Sequence, residues 1–309
     1  MSWNNRLISW LKGYNGVEIM ESRKLIPVYD CIYECGENSF VFSMENYVLM
    51  KSFEDFTSIN VNTTTTQAIS QIGGNISSQV IGSRNLSVSG IIYQNVENVK
   101  QKLIDTFIPF VEGVLTINKK FKINCFTTST PSIEIKRDLP NFTISLTCPF
   151  PLFRSAENKV FYLNYQEGMF LFPWNMAKYQ FGQRAIKYNF GLQNDGHFAS
   201  PYTIEFYALG EVVNPKLIMR KSNNDIDSLT FNKTLANGDR VVISSDNTGV
   251  TAIFENNDGK KDMTGLIDFD SDLLEIPRGY SAVQISAERG GESLQCKIEY
   301  PLLYGGVIV

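Results

Sequence analysis

The 309 residues carry 28 Lys and Arg against 32 Asp and Glu, a net charge of −4, and this balance argues against a nucleic-acid binder that works through a basic face. Hydrophobic residues make up 43% and charged residues 19%, which excludes a disordered chain. A chain of this length holds two domains of ordinary size.

Residues 2–13 read as a short amphipathic helix, with Trp3, Leu7, Trp10 and Leu11 at helical spacing and Gly13 as its stop. Such a helix either docks on a partner or packs on its own domain. From Lys24 to Leu49 short apolar runs alternate with polar ones, as in strands interrupted at Gly36-Glu-Asn38. Residues 57–83 are polar and turn-rich, with Thr63–Thr66, Gly73-Gly74 and Gly82-Ser83, and are expected to form a long loop or a protruding hairpin.

In Arg84–Tyr93, Leu86 and Val88 alternate with Asn85, Ser87 and Ser89, the pattern of a half-buried strand. Asn95 is the expected N-cap of the best helix in the chain. Val96, Val99, Leu103, Ile104 and Phe107 recur through it, and Pro109 and Gly113 mark its end. Strands are expected again over 113–117, 119–126, 132–136 and 141–148.

Pro149-Phe-Pro-Leu-Phe-Arg-Ser-Ala-Glu-Asn158 breaks the pattern, so the predicted domains are 1–151 and 152–309. The fold class is mainly β, with one or two helices. In the second domain turn signals recur at Asn194-Asp-Gly196, Leu209-Gly210, Asn237-Gly238, Asn247-Thr-Gly249, Asn257-Asp-Gly259 and Arg278-Gly279. Short strands between such turns predict a β-sandwich or jelly roll.

No constellation for chemistry emerges. The sole histidine, His197, lies two residues from Asp195 in a glycine-containing turn, where proximity is dictated by sequence and carries little catalytic meaning. Asp268-Phe-Asp-Ser-Asp-Leu-Leu-Glu275 begins like a calcium loop. However, Leu273 stands where the turn glycine belongs and Gly279 where the bidentate Glu belongs. A solvated loop is the better reading, with an irregular cation site as the rival. The aromatics Phe161, Tyr162, Tyr165, Phe170, Phe172 and Trp174 suit a sugar-stacking platform less well than a β-domain core. Cys31, Cys35, Cys125, Cys148 and Cys296 are odd in number and lack zinc-site spacing, so free thiols are expected. No secretory signal is evident in residues 1–20, and no run of apolar residues is long enough to span a bilayer. The expectation is a binding or structural protein, not an enzyme, with no catalytic, cofactor or metal residues.

Two stretches carry a resemblance. The first is Arg84-Asn-Leu-Ser-Val-Ser-Gly-Ile-Ile-Tyr93, a helix over 95–110, Gly113-Val-Leu-Thr-Ile-Asn118 and Asn141-Phe-Thr-Ile-Ser-Leu-Thr-Cys-Pro-Phe150. This order resembles the N-terminal belt domain of the phage distal tail (Dit) family. The second is Asn214-Pro-Lys-Leu-Ile218, Asn232–Ile243 and Leu274-Glu-Ile-Pro-Arg-Gly279, which is similar to that family's galectin-like C-terminal module. In it, Asn237-Gly238 is expected to turn a hairpin between two alternating strands. Residues 1–40 depart from the pattern as an added or altered element.

The resemblance implies a structural protein of the virion tail tip or baseplate, made in the bacterial cytoplasm. It implies a homo-oligomer, a hexameric ring closed by the belt domains. The partners implied are the tail tube protein, the hub and the receptor-binding proteins, with DNA only passing through the lumen. The first 150 residues hold 13 basic and 13 acidic residues, and the rest 15 and 19, so a neutral belt would let DNA slide without sticking. The rival reading is a carbohydrate-binding adhesin whose second domain grips cell-wall saccharide.

Overall fold

The computed structural model describes residues 31–67, 72–136, 139–164, 166–168, 182–184, 189–246, 249–272 and 275–308. The helix expected over 2–13 lies outside them, as do Tyr165, Phe170, Phe172, Trp174, Asn247 and Leu273.

The first half runs β1 (Cys31–Cys35), β2 (Asn38–Phe42), β3 (Val48–Glu54), β4 (Val61–Thr66), β5 (Asn75–Ile81), β6 (Arg84–Ile92), α1 (Val96–Thr106), β7 (Glu112–Ile117), β8 (Phe121–Thr127), β9 (Ser132–Lys136), β10 (Leu139–Cys148) and β11 (Phe153–Ser155). An antiparallel sheet in the order β2-β1-β7-β8-β10-β6-β3 dominates it, with β9 against β10 and β11 against β8. Alternation sets its buried face. Leu86, Val88 and Ile92 of β6 point in, with Leu86 opposite Leu146 and Val88 opposite Ile144 of β10, while Ser87 and Ser89 stay half-exposed. Gly36, at φ +60, turns the two-residue loop from β1 to β2, where a positive φ is required.

An 11-residue helix is marginal by itself, so α1 depends on packing. Val99, Leu103 and Phe107 are buried in the first core, and each such burial contributes about 1.5–3 kcal/mol. The Phe107 ring stacks on Tyr33 at 4.3 Å between centroids and 13° between planes. Gly113 makes room for Tyr33, since a Cβ there would lie 2.4 Å from its ring.

Asn95 is the N-cap, as expected, and its carbonyl accepts from Val99 N at 3.1 Å. Its side chain makes no capping bond to the backbone; the residue sits in the left-handed region at φ 53, and its Oδ1 accepts from the Asn98 side chain instead. Ile104 is 45% exposed, because at 100° per residue it falls well off the line through Val99, Leu103 and Phe107.

The second half runs β12 (Lys159–Leu163), β13 (Gln166–Gly168), β14 (Gly182–Arg184), β15 (Asn189–Asn194), β16 (Thr203–Ala208), β17 (Val212–Arg220), β18 (Ile226–Thr230), β19 (Thr234–Leu235), β20 (Arg240–Asp246), β21 (Gly249–Asn256), β22 (Gly259–Asp262), β23 (Gly279–Arg289), β24 (Leu294–Tyr300) and β25 (Leu303–Tyr304). One sheet has the order β12-β24-β16-β20-β21-β22, and the other β15-β23-β17-β18 with β19 beside β17. Phe206, Ile243, Phe254 and Ile298 from the first sheet meet Leu217, Met219 and Ile285 from the second in one core. This is a β-sandwich.

Asn237-Gly238 is not a hairpin turn. It joins β19, in one sheet, to β20, in the other, with Gly238 at φ +90 and its N–H donating to Ala208 O at 2.8 Å. The sequence pattern fixes a turn at that place, but the partners of its two strands are set by contacts far away in the chain.

The chain end returns to the first sheet. β25 pairs with β11, which pairs with β8. Val307 is buried in the first core, and its N–H donates to Phe56 O at 2.9 Å.

Candidate interaction surface

The described residues offer three features for contact. The first is the hairpin β4–β5, the form taken by the polar stretch 57–83. Its two strands pair only with each other, with a register slip between Thr64 and Thr65. Nearly every residue in it is exposed, including Val61, Ile76 and Val80. No Asp, Glu, Lys or Arg occurs from Phe56 to Ser83. Isolated two-stranded hairpins are marginal in water. Proteins guard free strand edges with charge, and this arm carries none.

The second feature lies where α1 hands over to β7. Ile104, Ile108, Phe110 and Val111 are all exposed, Phe110 at 97%. Phe110 is also held at φ 69, a region that bulky side chains rarely adopt. The sequence gives little signal for this patch: Ile104 is one of several apolar residues recurring through the helix, and Phe110 lies outside any periodic pattern.

The third is the seam between the two halves. A cleft of about 430 Å³ opens there, lined by Lys122, Asn124, Arg154, Asn158, Tyr202 and Glu299 among others. Arg154 and Lys122 are directly opposite each other on β11 and β8.

His197 belongs to this seam. Its N–H donates to Leu303 O at 2.7 Å, its Nδ1 accepts from Gly305 N at 3.3 Å, and its ring meets Tyr304 edge to face. Asp195 accepts from the Gln193 amide at 3.1 Å. The structure therefore gives His197 a partner in the chain end, not in Asp195.

The other sequence-derived candidates disperse into structural roles. Asp268 accepts from the Asn232 amide and from Asp270 N, which lowers its pKa, the amide having the larger effect. Asp272 accepts from Ser228 N at 3.1 Å. Among the described residues no group of three or more acidic, His or Cys side chains is gathered to hold a metal. Phe161 stacks on the buried Tyr300 at 5.9 Å and packs against the second core, whereas Tyr162 is half-exposed. All five cysteines are free and buried. Burial pushes the Cys31 thiol up to about 12, and the Cys296 thiol is raised by the same cause, so neither is an activated nucleophile.

No family model matches the chain, and no curated protein does. Solved structures do. The Dit protein of phage SPP1, described as a paradigm of the hub adsorption apparatus in phages that infect Gram-positive bacteria, aligns with a TM-score of 0.66 at 10% identity. The match covers 89% of this chain and 99% of that one. This chain has the Dit fold. Chains of the phage p2 baseplate in its activated conformation, with Sr and with Ca, align at TM-scores of 0.48 and 0.46 and 9% identity. The SPP1 match runs through both halves of this chain, since it covers 89% of it. The hairpin, the Phe110 patch and the seam are thus features of a chain that shares the Dit fold over 89% of its length.

Proposed function

We propose that this chain is a structural protein of a phage tail tip, or of a phage-derived particle, in which copies form a six-membered ring. The observation that carries the reading is the shared fold over 89% of the chain with a protein of a phage adsorption hub. The charge-free hairpin and the Phe110 patch support it physically. Both lie in the first half, both expose apolar groups, and both suit interfaces depleted of charge at their centre. Head-to-tail contacts through such surfaces close into a ring when the rotation per subunit allows.

In this reading the belt half joins the tail tube above to the hub and receptor-binding proteins below. DNA passes through a lumen that does not hold it by charge. The sandwich half hangs outside. The polar seam cleft favours one secondary role, contact with a cell-wall saccharide, since amides and charged groups line a space of sugar size.

Electron microscopy of the native particle, with the tail-tip subunits counted, tests the proposal. Six copies in a ring closed through residues 31–155 is the expected result. A single copy per particle, or a ring closed through the sandwich, overturns it. Binding of purified cell-wall glycan by the isolated full chain tests the secondary role.

A further inference from the structure

The root of the β4–β5 hairpin holds a small cavity of about 130 Å³, lined by Asp55, Ser58, Asn60, Ser83, Arg84 and Asn85 among others. Arg84 opens β6 from its inward-facing side and is only 6% exposed. Its Nη2 donates to the Gly305 carbonyl, and its guanidinium lies 4.9 Å over the Phe153 ring. Its Nη1 is buried and has no hydrogen-bond partner. A buried charged donor left unmade is costly, and natural proteins rarely tolerate one without a reason. Burial lowers the Arg84 pKa, and Asp55 acts on it only through space.

We propose that this cavity is a binding site for one oxyanionic group, a phosphate or a carboxylate, with Arg84 as its charged anchor. Guanidinium is the side chain best matched to both groups, through paired N–H donors. The volume holds about four waters, or one such group with a water beside it. The neighbouring hydroxyls of Ser58 and Ser83 supply neutral donors. Asn85 accepts from Thr147 through Oδ1, which leaves its amide N–H groups as donors. Asp55 is the opposing element: an exposed carboxylate on the same cavity that weakens anion binding. Occupancy ties the hairpin root to the chain end, because Arg84 already grips Gly305. The inference stands apart from the ring proposal, since the cavity lies within one chain.

The test uses the full chain and follows amide NMR signals during titration with sodium phosphate and, separately, sodium acetate at fixed ionic strength. Saturable shifts at residues 58–60 and 83–85, with half-saturation on the order of 1 mM, are expected. Asp55→Asn, at an exposed position, is expected to keep the fold and tighten binding about threefold to tenfold, through removal of a nearby like charge. Saturation by phosphate alone identifies a free phosphate or phosphate ester as the ligand. Saturation by acetate alone identifies a carboxylate side chain, and saturation by both identifies a general oxyanion site. The proposal is overturned by no saturable shift up to about 50 mM of either ion, by shifts confined to surface lysines, or by affinity unchanged in Asp55→Asn.

Discussion

Gly306→Ala tests the return of the chain end most directly. A Cβ on Gly306 would lie 2.0 Å from the Thr57 carbonyl oxygen and 2.6 Å from its carbon. Both are backbone atoms, so no rotamer relieves the clash. The tail must retreat by roughly 1 Å or more to reach ordinary contact. That retreat strains three attachments: the 2.9 Å bond from Val307 N to Phe56 O, the bond from Arg84 to Gly305 O, and the burial of Val307 in the first core. Complete loss would remove about 1 kcal/mol for the neutral bond and about 1.5–3 kcal/mol for the charged one. Loss of the valine burial would remove a further amount of about 1.5–3 kcal/mol. Partial retreat should therefore destabilise by about 2–4 kcal/mol, a large share of a typical stability of about 5–15 kcal/mol. Urea unfolding followed by fluorescence reads this as a drop in midpoint of about 1 M, accompanied by faster carboxypeptidase trimming. Gly265→Ala is the control, since a Cβ there meets nothing within 4 Å. A Gly306→Ala shift within about 0.5 kcal/mol, the range of an ordinary surface change, would refute the clasp.

Leu103→Ala, at a fully buried site in the first core, should cost about 2–5 kcal/mol in the same unfolding assay. Ile76→Asp with Val80→Asp should leave the melting temperature within about 2 °C, because both residues are exposed, and should abolish ring formation as seen by electron microscopy. His197→Ala removes one hydrogen-bond acceptor for Gly305; it should cost about 1 kcal/mol and leave ring formation unchanged. Native thiols should resist a disulfide reagent at about pH 8 and all five should react after denaturation. For Cys31 the folded pKa is raised from 9.0 to about 12. The stability this burial represents is fully present below 9.0 and is lost as pH rises towards about 12. Unfolding midpoints measured from pH 8 to 11 should therefore begin to fall above pH 9, and a midpoint that rises over that range would contradict the burial of this thiol.

The sequence by itself determined the elements whose signal is local. Alternation in Arg84–Ile92 fixed one central strand, because burial on one face of a pleated strand needs only a period of two, and a second was expected over 141–148, where the structure has Leu139–Cys148. The Val99, Leu103, Phe107 spacing fixed the buried side of the helix for the same kind of reason. The polar run over 57–83 was also legible as a long loop or protruding hairpin, though its hairpin register was not.

Tertiary structure alone decided what depends on distant partners. Asn237-Gly238 signals a turn equally well within a sheet or between sheets, and only the pairing of β19 with β17 and of β20 with β16 separates the two. Arg84 reads as a polar start to a strand. Its burial and its bond to Gly305, 221 residues away, arise because the chain end folds back over it. His197 reads from the sequence as a turn residue beside Asp195, and only the fold brings Gly305 to it as a partner. Periodicity reports which face of an element is apolar. It does not report which other segment will cover that face, since that choice is made by contacts between parts of the chain that no short window of sequence contains.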